Sequence, residues 1–238
     1  MNKPRVTQLA TIKTSLREQI HSGILSQGKK LPSERALSEL FNTTRITLKD
    51  ALISLETEGL IYREERRGWY VSPPRIRYNP LSRCHFDQMI CEQDRISATT
   101  LISVRSEMAA GEHAETLAVN RITPVHVIER LRYIDGRAVL LVENCLKAEL
   151  FPGILEFDLT SSLTGLFRDQ YGYITQSASF DVIPTAAPAH VAKALNLAEG
   201  QPVLKIRRVN YKQDGELMDC EIEYWRPDAV MICINSVG

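Results

Sequence analysis

The stretch "KKLPSERALSELFNTTRITLKDALISLETEGLIY", Lys29 to Tyr62, carries two short apolar periodicities on either side of a polar turn. In the first, Ala36, Leu37, Leu40 and Phe41 recur at helical spacing; in the second, Leu48, Ala51, Leu52 and Leu55 do so, and Gly59 stands as a stop. Pro32 and Ser33 suit the start of the first helix, and Thr43 or Thr44 can cap the second. Two helices joined by so short a turn predict a helix-turn-helix. Its second helix opens on Thr44, Arg45, Thr47 and Lys49. A helix that enters a major groove about 12 Å wide needs short polar and long basic side chains on its leading turn. Arg45 can reach a guanine edge or a phosphate, Thr47 a base, and Lys49 the sugar-phosphate backbone. Ser33 and Arg35, at the head of the preceding helix, can bind phosphate. The bland alternative is the solvated face of an ordinary helical domain.

Working outward, Leu9, Ile12, Leu16 and Ile20 give a first helix that Gly23 can end. After Gly59, "LIYREERRGWYVS" reads as a β-hairpin, with Arg66, Arg67 and Gly68 at its charged turn. Such a hairpin would be a wing whose arginines lie along a minor groove. "SPPRIRYNP" follows, Pro-rich and without period, and predicts a linker. The expected division is residues 1–74 as a winged helix-turn-helix, 75–82 as linker and 83–238 as a second domain.

That second domain mixes strands and helices. "VHVIERLRYIDGRAVLLVENCL" and "VLKIRRVNYKQDGELMDCEIEYW" each place β-rich runs around an Asp-Gly pair, a strong hairpin signal. "SSLTGLFRDQYG", "TAAPAHVAKALNL" and "MAAGEHAETLAV" have helical spacing. An antiparallel sheet with helices packed on it, an α+β domain, is predicted. Arg130 and Arg132 lie two apart on one strand and so share a face. Two guanidiniums side by side suit the capture of phosphate, phosphonate or carboxylate. Glu143 on the partner strand can salt-bridge them or hold a ligand amine or hydroxyl. Ser162 can cap a helix whose N-terminus favours an anion. Asp219, Glu221 and Glu223 alternate along the last hairpin. Solvated cross-strand pairs produce the same pattern.

Composition is that of an ordinary globular chain: 238 residues, 44% hydrophobic, 24% charged, net charge zero. Yet residues 1–75 hold 13 Lys and Arg against 8 Asp and Glu, and the remainder is acidic by the same margin. A basic segment on an acidic body fits a nucleic-acid-binding module with a partner domain. Five scattered cysteines without a C-x-x-C pair speak against a disulfide framework or zinc site. His113, His126 and His190 are isolated and read as structural, so no metal or cofactor is expected. No run approaches membrane-spanning length and no signal peptide is visible, which predicts a cytoplasmic protein without membrane contact.

The segment from Leu31 to Val71 resembles the winged helix-turn-helix of the GntR family of bacterial transcription regulators. Leu31-Pro32-Ser33-Glu34-Arg35, Arg45, Thr47, Ala51-Leu52, Leu55, Glu58-Gly59-Leu60 and Gly68 fall in register with that pattern. It departs from the pattern at Thr43-Thr44, for the usual Val-Ser, at Lys49, for Arg, and at Arg66, for the first wing glycine. Residues from about 83 to 235 resemble the UTRA effector-binding domain of the HutC subfamily, which shares its fold with chorismate lyase. The resemblance implies ligand contacts at Arg130, Arg132, Glu143, Ser162 and Thr164, the last in place of a tyrosine. It also implies Ser97, Thr99 and Thr100 in the Ser/Thr-rich loop "ISATT", together with Asp219 and Glu221. The protein is therefore expected to be a dimeric repressor of a palindromic double-stranded DNA operator, released or rearranged by a small anionic metabolite. The competing readings are a small enzyme of chorismate-lyase-like fold acting on a carboxylate, and a cysteine-based redox regulator. No Ser-His-Asp order or phosphate-cradling glycine loop favours the enzyme.

Overall fold

Thr7 accepts a hydrogen bond from Ala10 N and so caps α1 (Gln8–His21), the first element of a computed structural model that describes residues 7–82 and 85–234. Ser33 caps α2 (Glu34–Leu40) and Thr44 caps α3 (Arg45–Thr57), each through its hydroxyl oxygen. Such a cap satisfies a first-turn N–H that has no partner within the helix. Asn42, in the turn between α2 and α3, has a left-handed backbone (φ 46). Ile12, Leu16, Leu37, Leu48, Leu52 and Leu55 close the core of this head, all nearly inaccessible. Each buried aliphatic side chain contributes about 1.5–3 kcal/mol. β1 (Ile61–Glu64) and β2 (Gly68–Val71) form the antiparallel wing, from Ile61↔Val71 to Glu64↔Gly68. Trp69 anchors the wing to α2 by donating from Nε1 to Glu34 Oε1 at 2.8 Å.

The segment expected as a linker contains a short strand, β3 (Ile76–Tyr78). It is followed by α4 (Phe86–Cys91), β4 (Ser97–Met108), α5 (Gly111–Thr116), β5 (Pro124–Ile134) and β6 (Arg137–Lys147). Then come α6 (Leu163–Tyr171), β7 (Ser177–Ala186), α7 (Ala189–Ala194), β8 (Pro202–Tyr211), β9 (Leu217–Trp225) and β10 (Val230–Ile232). Six strands form one antiparallel sheet in the order β4-β5-β6-β9-β8-β7, while β10 pairs in parallel with β3. Both Asp-Gly hairpins are present, as β5–β6 and β8–β9. "ISATT", expected as a loop, instead runs into the long outer strand β4. One hydroxyl-rich stretch on an otherwise polar edge carries no turn signal, and its alternation shows only once β5 is beside it.

The two faces of the sheet are covered differently. α4 packs with Trp225, Leu140 and Ile206 on one face, and α6 with Ile128 and Leu146 on the same face. α7 packs on the other, against Leu131, Leu141, Ile222 and Tyr224, and α5 against Val125, Val127 and Cys145. Among the described residues no helix is long and apolar enough to cross a membrane. Cys84 lies outside the described residues; Cys91, Cys145, Cys220 and Cys233 are free thiols.

Candidate functional site

Two constructions in this fold can do chemistry, one on the head and one under α4 and α6. On the head, the first turn of α3 is open: Arg45 and Lys49 are exposed one helical turn apart, and Thr47 is half-buried. Thr47 Oγ1 sits 3.0 Å from Thr44 Oγ1, so the cap also steadies the threonine beside it. Between the helices and the wing is a hollow of about 380 Å³, lined by Ser33, Arg35, Arg45, Arg66, Arg67 and Gly68. Thr47 and Lys49 on α3, and Thr44 at its cap, do not line it. Arg35 donates to Glu39 and Arg67 to Glu64, in each case with the arginine largely exposed. Such surface pairs cost little to exchange for phosphate. Arg66 has a left-handed backbone (φ 59), the conformation that glycine adopts most readily. It thus occupies, with a side chain, the turn position where the resembling pattern has glycine.

The second construction is a cavity of about 240 Å³ on the α4/α6 face of the sheet. Arg130, Arg132 and Arg208 line it from β5 and β8, and Thr99 lines it from β4. Thr160, Ser161, Ser162 and Thr164 line it from the N-terminal end of α6. Ser162 caps α6 by accepting from Gly165 N at 3.1 Å. Arg130 is almost wholly buried, and its donors go to neutral groups only: Nε and Nη2 to Asn144 Oδ1, Nη1 to Ser161 O. Burial, and then the neighbouring Arg132, bring the Arg130 guanidinium down to about 9. Arg132 lies over the Phe86 ring at 4.6 Å, and the Nε atoms of both Arg132 and Arg208 are buried without a hydrogen-bond partner. Among the described residues none of these three arginines makes a salt bridge. Cations held this way attract an anion that can use their free donors.

Glu221 and Glu223 of β9 also line the cavity. Glu223 accepts from Trp225 Nε1 at 2.6 Å and from the Tyr78 hydroxyl at 3.5 Å. Burial, and then the Glu221 charge, hold Glu223 above the ordinary carboxylate range. The cavity therefore has a cationic side and an acidic side.

Of the residues singled out in the sequence, Thr99, Arg130, Arg132, Ser162, Thr164 and Glu221 come together here. Asp219 lies fully buried behind Asn210, from which it accepts a hydrogen bond at 2.9 Å, and does not line the cavity. Ser97 does not line the cavity but donates at 2.7 Å to Asp87, which does, and Thr100 pairs with Leu131, whose side chain packs on the opposite face. Glu143 is also on that opposite face. A one-residue bulge at Val139 puts Arg132 opposite Leu140 and Glu129 opposite Glu143. An uninterrupted ladder from Ile134↔Arg137 would pair Glu143 with Ile128 on the arginine face. Arg208, Tyr78 and Trp225 were not anticipated as lining residues, and Glu223 was marked only as alternating with Asp219 and Glu221. For Arg208 the signal was present: it is followed two residues later by Asn210, on the same strand face.

A DNA-reading head joined to a domain with a charged cavity defines a ligand-sensing transcriptional regulator. Residues 8–71 match the model of the bacterial regulatory proteins of the gntR family, and residues 92–231 match that of the UTRA domain. The chain belongs to the GntR family and carries a UTRA effector domain. Similar proteins include the HTH-type transcriptional regulator YihL of Escherichia coli strain K12, 31% identical over 94% of this chain and 95% of its own. The HTH-type transcriptional repressor NagR of Bacillus subtilis strain 168 is 28% identical over 91% of this chain and 89% of its own. The crystal structure of PhnF from Mycobacterium smegmatis superposes with a TM-score of 0.65 at 25% identity, covering 93% of this chain and 97% of that one. These relatives are regulators, and the enzyme reading is set aside.

Proposed function

We propose that this regulator is a cytoplasmic, dimeric repressor of a palindromic operator, and that a small anionic metabolite binds the cavity and weakens the hold on DNA. The observation that carries the ligand reading is the trio Arg130, Arg132 and Arg208 facing one cavity. Two of the three keep a buried, unused donor, and among the described residues no carboxylate is bonded to any of them. A phosphate, phosphonate or carboxylate would take those donors together with the N-terminal end of α6. Glu221 and Glu223, across the cavity, suit hydroxyl or amine groups on the same ligand. Support for repression comes from the relative NagR, which is named a repressor. Support for a dimer comes from β4, an outer strand on which Leu101, Ile102 and Met108 are exposed. A two-fold dimer would present two heads to two half-sites.

The cavity also has a route to the head. Trp225 lines it, and the next residue, Arg226, bonds to the wing. A ligand that prefers one placement of the wing would shift the placement that fits adjacent half-sites.

Thermal-shift titration of the whole protein with inorganic phosphate, sugar phosphates, phosphonates and small carboxylates is the direct test, repeated on Arg132→Ala. One class should stabilise the wild type and lose most of its effect on the variant. An anion that stabilises both equally would mean that the ligand binds elsewhere.

A further inference from the structure

The cavity uses one face of the sheet; the other face holds a second polar cluster. Glu129 of β5 and Glu143 of β6 stand directly opposite each other there. Like charges in that relation destabilise a sheet unless something positive lies between them. Among the described residues no Lys or Arg makes a salt bridge to either. Instead, each of the two covering helices brings an imidazole. His113 Nε2, from α5, lies 3.3 Å from Glu143 Oε2, and His190 Nε2, from α7, lies 3.5 Å from Glu143 Oε1. Ligand atoms of Glu129, Glu143 and His190 all fall within 4.8 Å of one another. The two histidines expected to be isolated and structural therefore converge on one carboxylate.

Glu129, Glu143 and His190 are close enough to share a cation. Ligand atoms bonded at about 2.0–2.1 Å to a tetrahedral ion sit roughly 3.3 Å apart, close to the 3.5 Å between His190 Nε2 and Glu143 Oε1. His113 lies outside that group, against the other oxygen of Glu143, and steadies the carboxylate from the α5 side. The carboxylate of Glu129 is held from behind: Ser103 Oγ donates to its Oε2 at 3.0 Å, and Arg105 Nη1 donates to Ser103 Oγ at 2.9 Å. Outer bonds of this kind orient metal ligands. His190 is half exposed and offers the ion a way in.

We infer that Glu129, Glu143 and His190 form a site for one first-row divalent transition ion, with His113 flanking the carboxylate of Glu143. An imidazole with two carboxylates suits zinc and its neighbours; magnesium and calcium prefer oxygen alone. An ion there would tie α7 to β5 and β6. Just past the far end of α7, Leu195 O accepts from Arg226 Nη1 and Asn196 O accepts from Glu65 N of the wing. The site therefore sits at one end of a helix whose other end touches the DNA-reading head.

The test strips the full-length protein with a chelator, titrates it with Zn²⁺ by calorimetry, and titrates it separately with Co²⁺ by visible absorption. One ion per chain is expected, with Co²⁺ d–d bands and no thiolate charge-transfer band. His190→Ala, Glu129→Gln and Glu143→Gln should each weaken binding by more than about tenfold, and the flanking changes Ser103→Ala and His113→Ala by roughly tenfold. His126→Ala, whose ring bonds to Ser106 outside the cluster, should bind as the wild type does. Circular dichroism of His190→Ala checks the fold. No stoichiometric binding, binding that survives His190→Ala with Glu143→Gln, or a thiolate band pointing to Cys145 would each overturn the assignment.

Discussion

Arg226 donates from Nη2 to the carbonyl oxygen of Arg63, 2.9 Å away, across 163 positions of the chain. The same guanidinium donates to Leu195 O and pairs with Asp228, so one buried side chain joins wing, α7 and the end of β9. Tyr62 of the wing lies beneath it at 5.2 Å and beneath Arg137 at 3.5 Å. Tyr62→Leu keeps an apolar body in that place and removes the ring face. It should cost about 1–2 kcal/mol in stability and reduce the effect of the ligand on DNA affinity. Operator titrations with and without ligand read both; an unchanged ratio of the two affinities would show that the contact carries no coupling.

The leading turn of α3 gives a prediction that separates folding from recognition. Arg45→Ala should weaken operator binding by about 1–3 kcal/mol and leave the melting temperature where it was, since Arg45 is exposed. If the contact is to phosphate, the slope of log K against log salt should also fall by about 0.9. Thr44→Ala should behave differently. Losing the cap costs about 1 kcal/mol of stability as well.

At the wing the two effects should take opposite signs. Arg66 holds a left-handed backbone that costs an ordinary residue roughly 1–2 kcal/mol. Arg66→Gly should therefore raise the urea midpoint while lowering DNA affinity, because a cation leaves the hollow between wing and helices. Loss of stability in that variant would mean that the arginine side chain, not the backbone, dominates there.

Asp219 supplies the pH dependence. Burial, and then the Glu221 charge, push its carboxyl up to about 8. Between its ordinary value near 4 and that point, the unfolded chain releases a proton that the folded chain keeps. The unfolded state then binds fewer protons, and stability falls as pH rises. Asp219→Asn keeps an acceptor for Asn210 and removes the titration. Its stability relative to the wild type should be nearly unchanged at pH 4 and grow steadily towards pH 8, as seen in urea melts. A difference that does not vary with pH would show that Asp219 ionises normally in the fold.

The head was legible along the chain because each of its devices is local. Caps at Ser33 and Thr44, the apolar spacing from Leu48 to Leu55 and the stop at Gly59 all lie within one helix length of what they control. Arg130 and Arg132 were legible for a similar reason, since residues two apart on a strand share a face wherever the strand goes. The two Asp-Gly turns likewise announced their hairpins.

Tertiary structure alone decided which side of the sheet each remaining residue serves. One extra residue at Val139 shifts the β5–β6 ladder and carries Glu143 away from the arginines to the histidines. A bulge has no fixed sequence signature, because the packing of both faces selects it, and a slip of one residue exchanges the faces for every residue beyond it. Arg208 and Glu223 reach the cavity through strand order, and His113 and His190 both reach Glu143 because two helices far apart in sequence cover one face. Those meetings are set by which apolar surfaces bury one another, a property of the whole domain that no short stretch of the sequence contains.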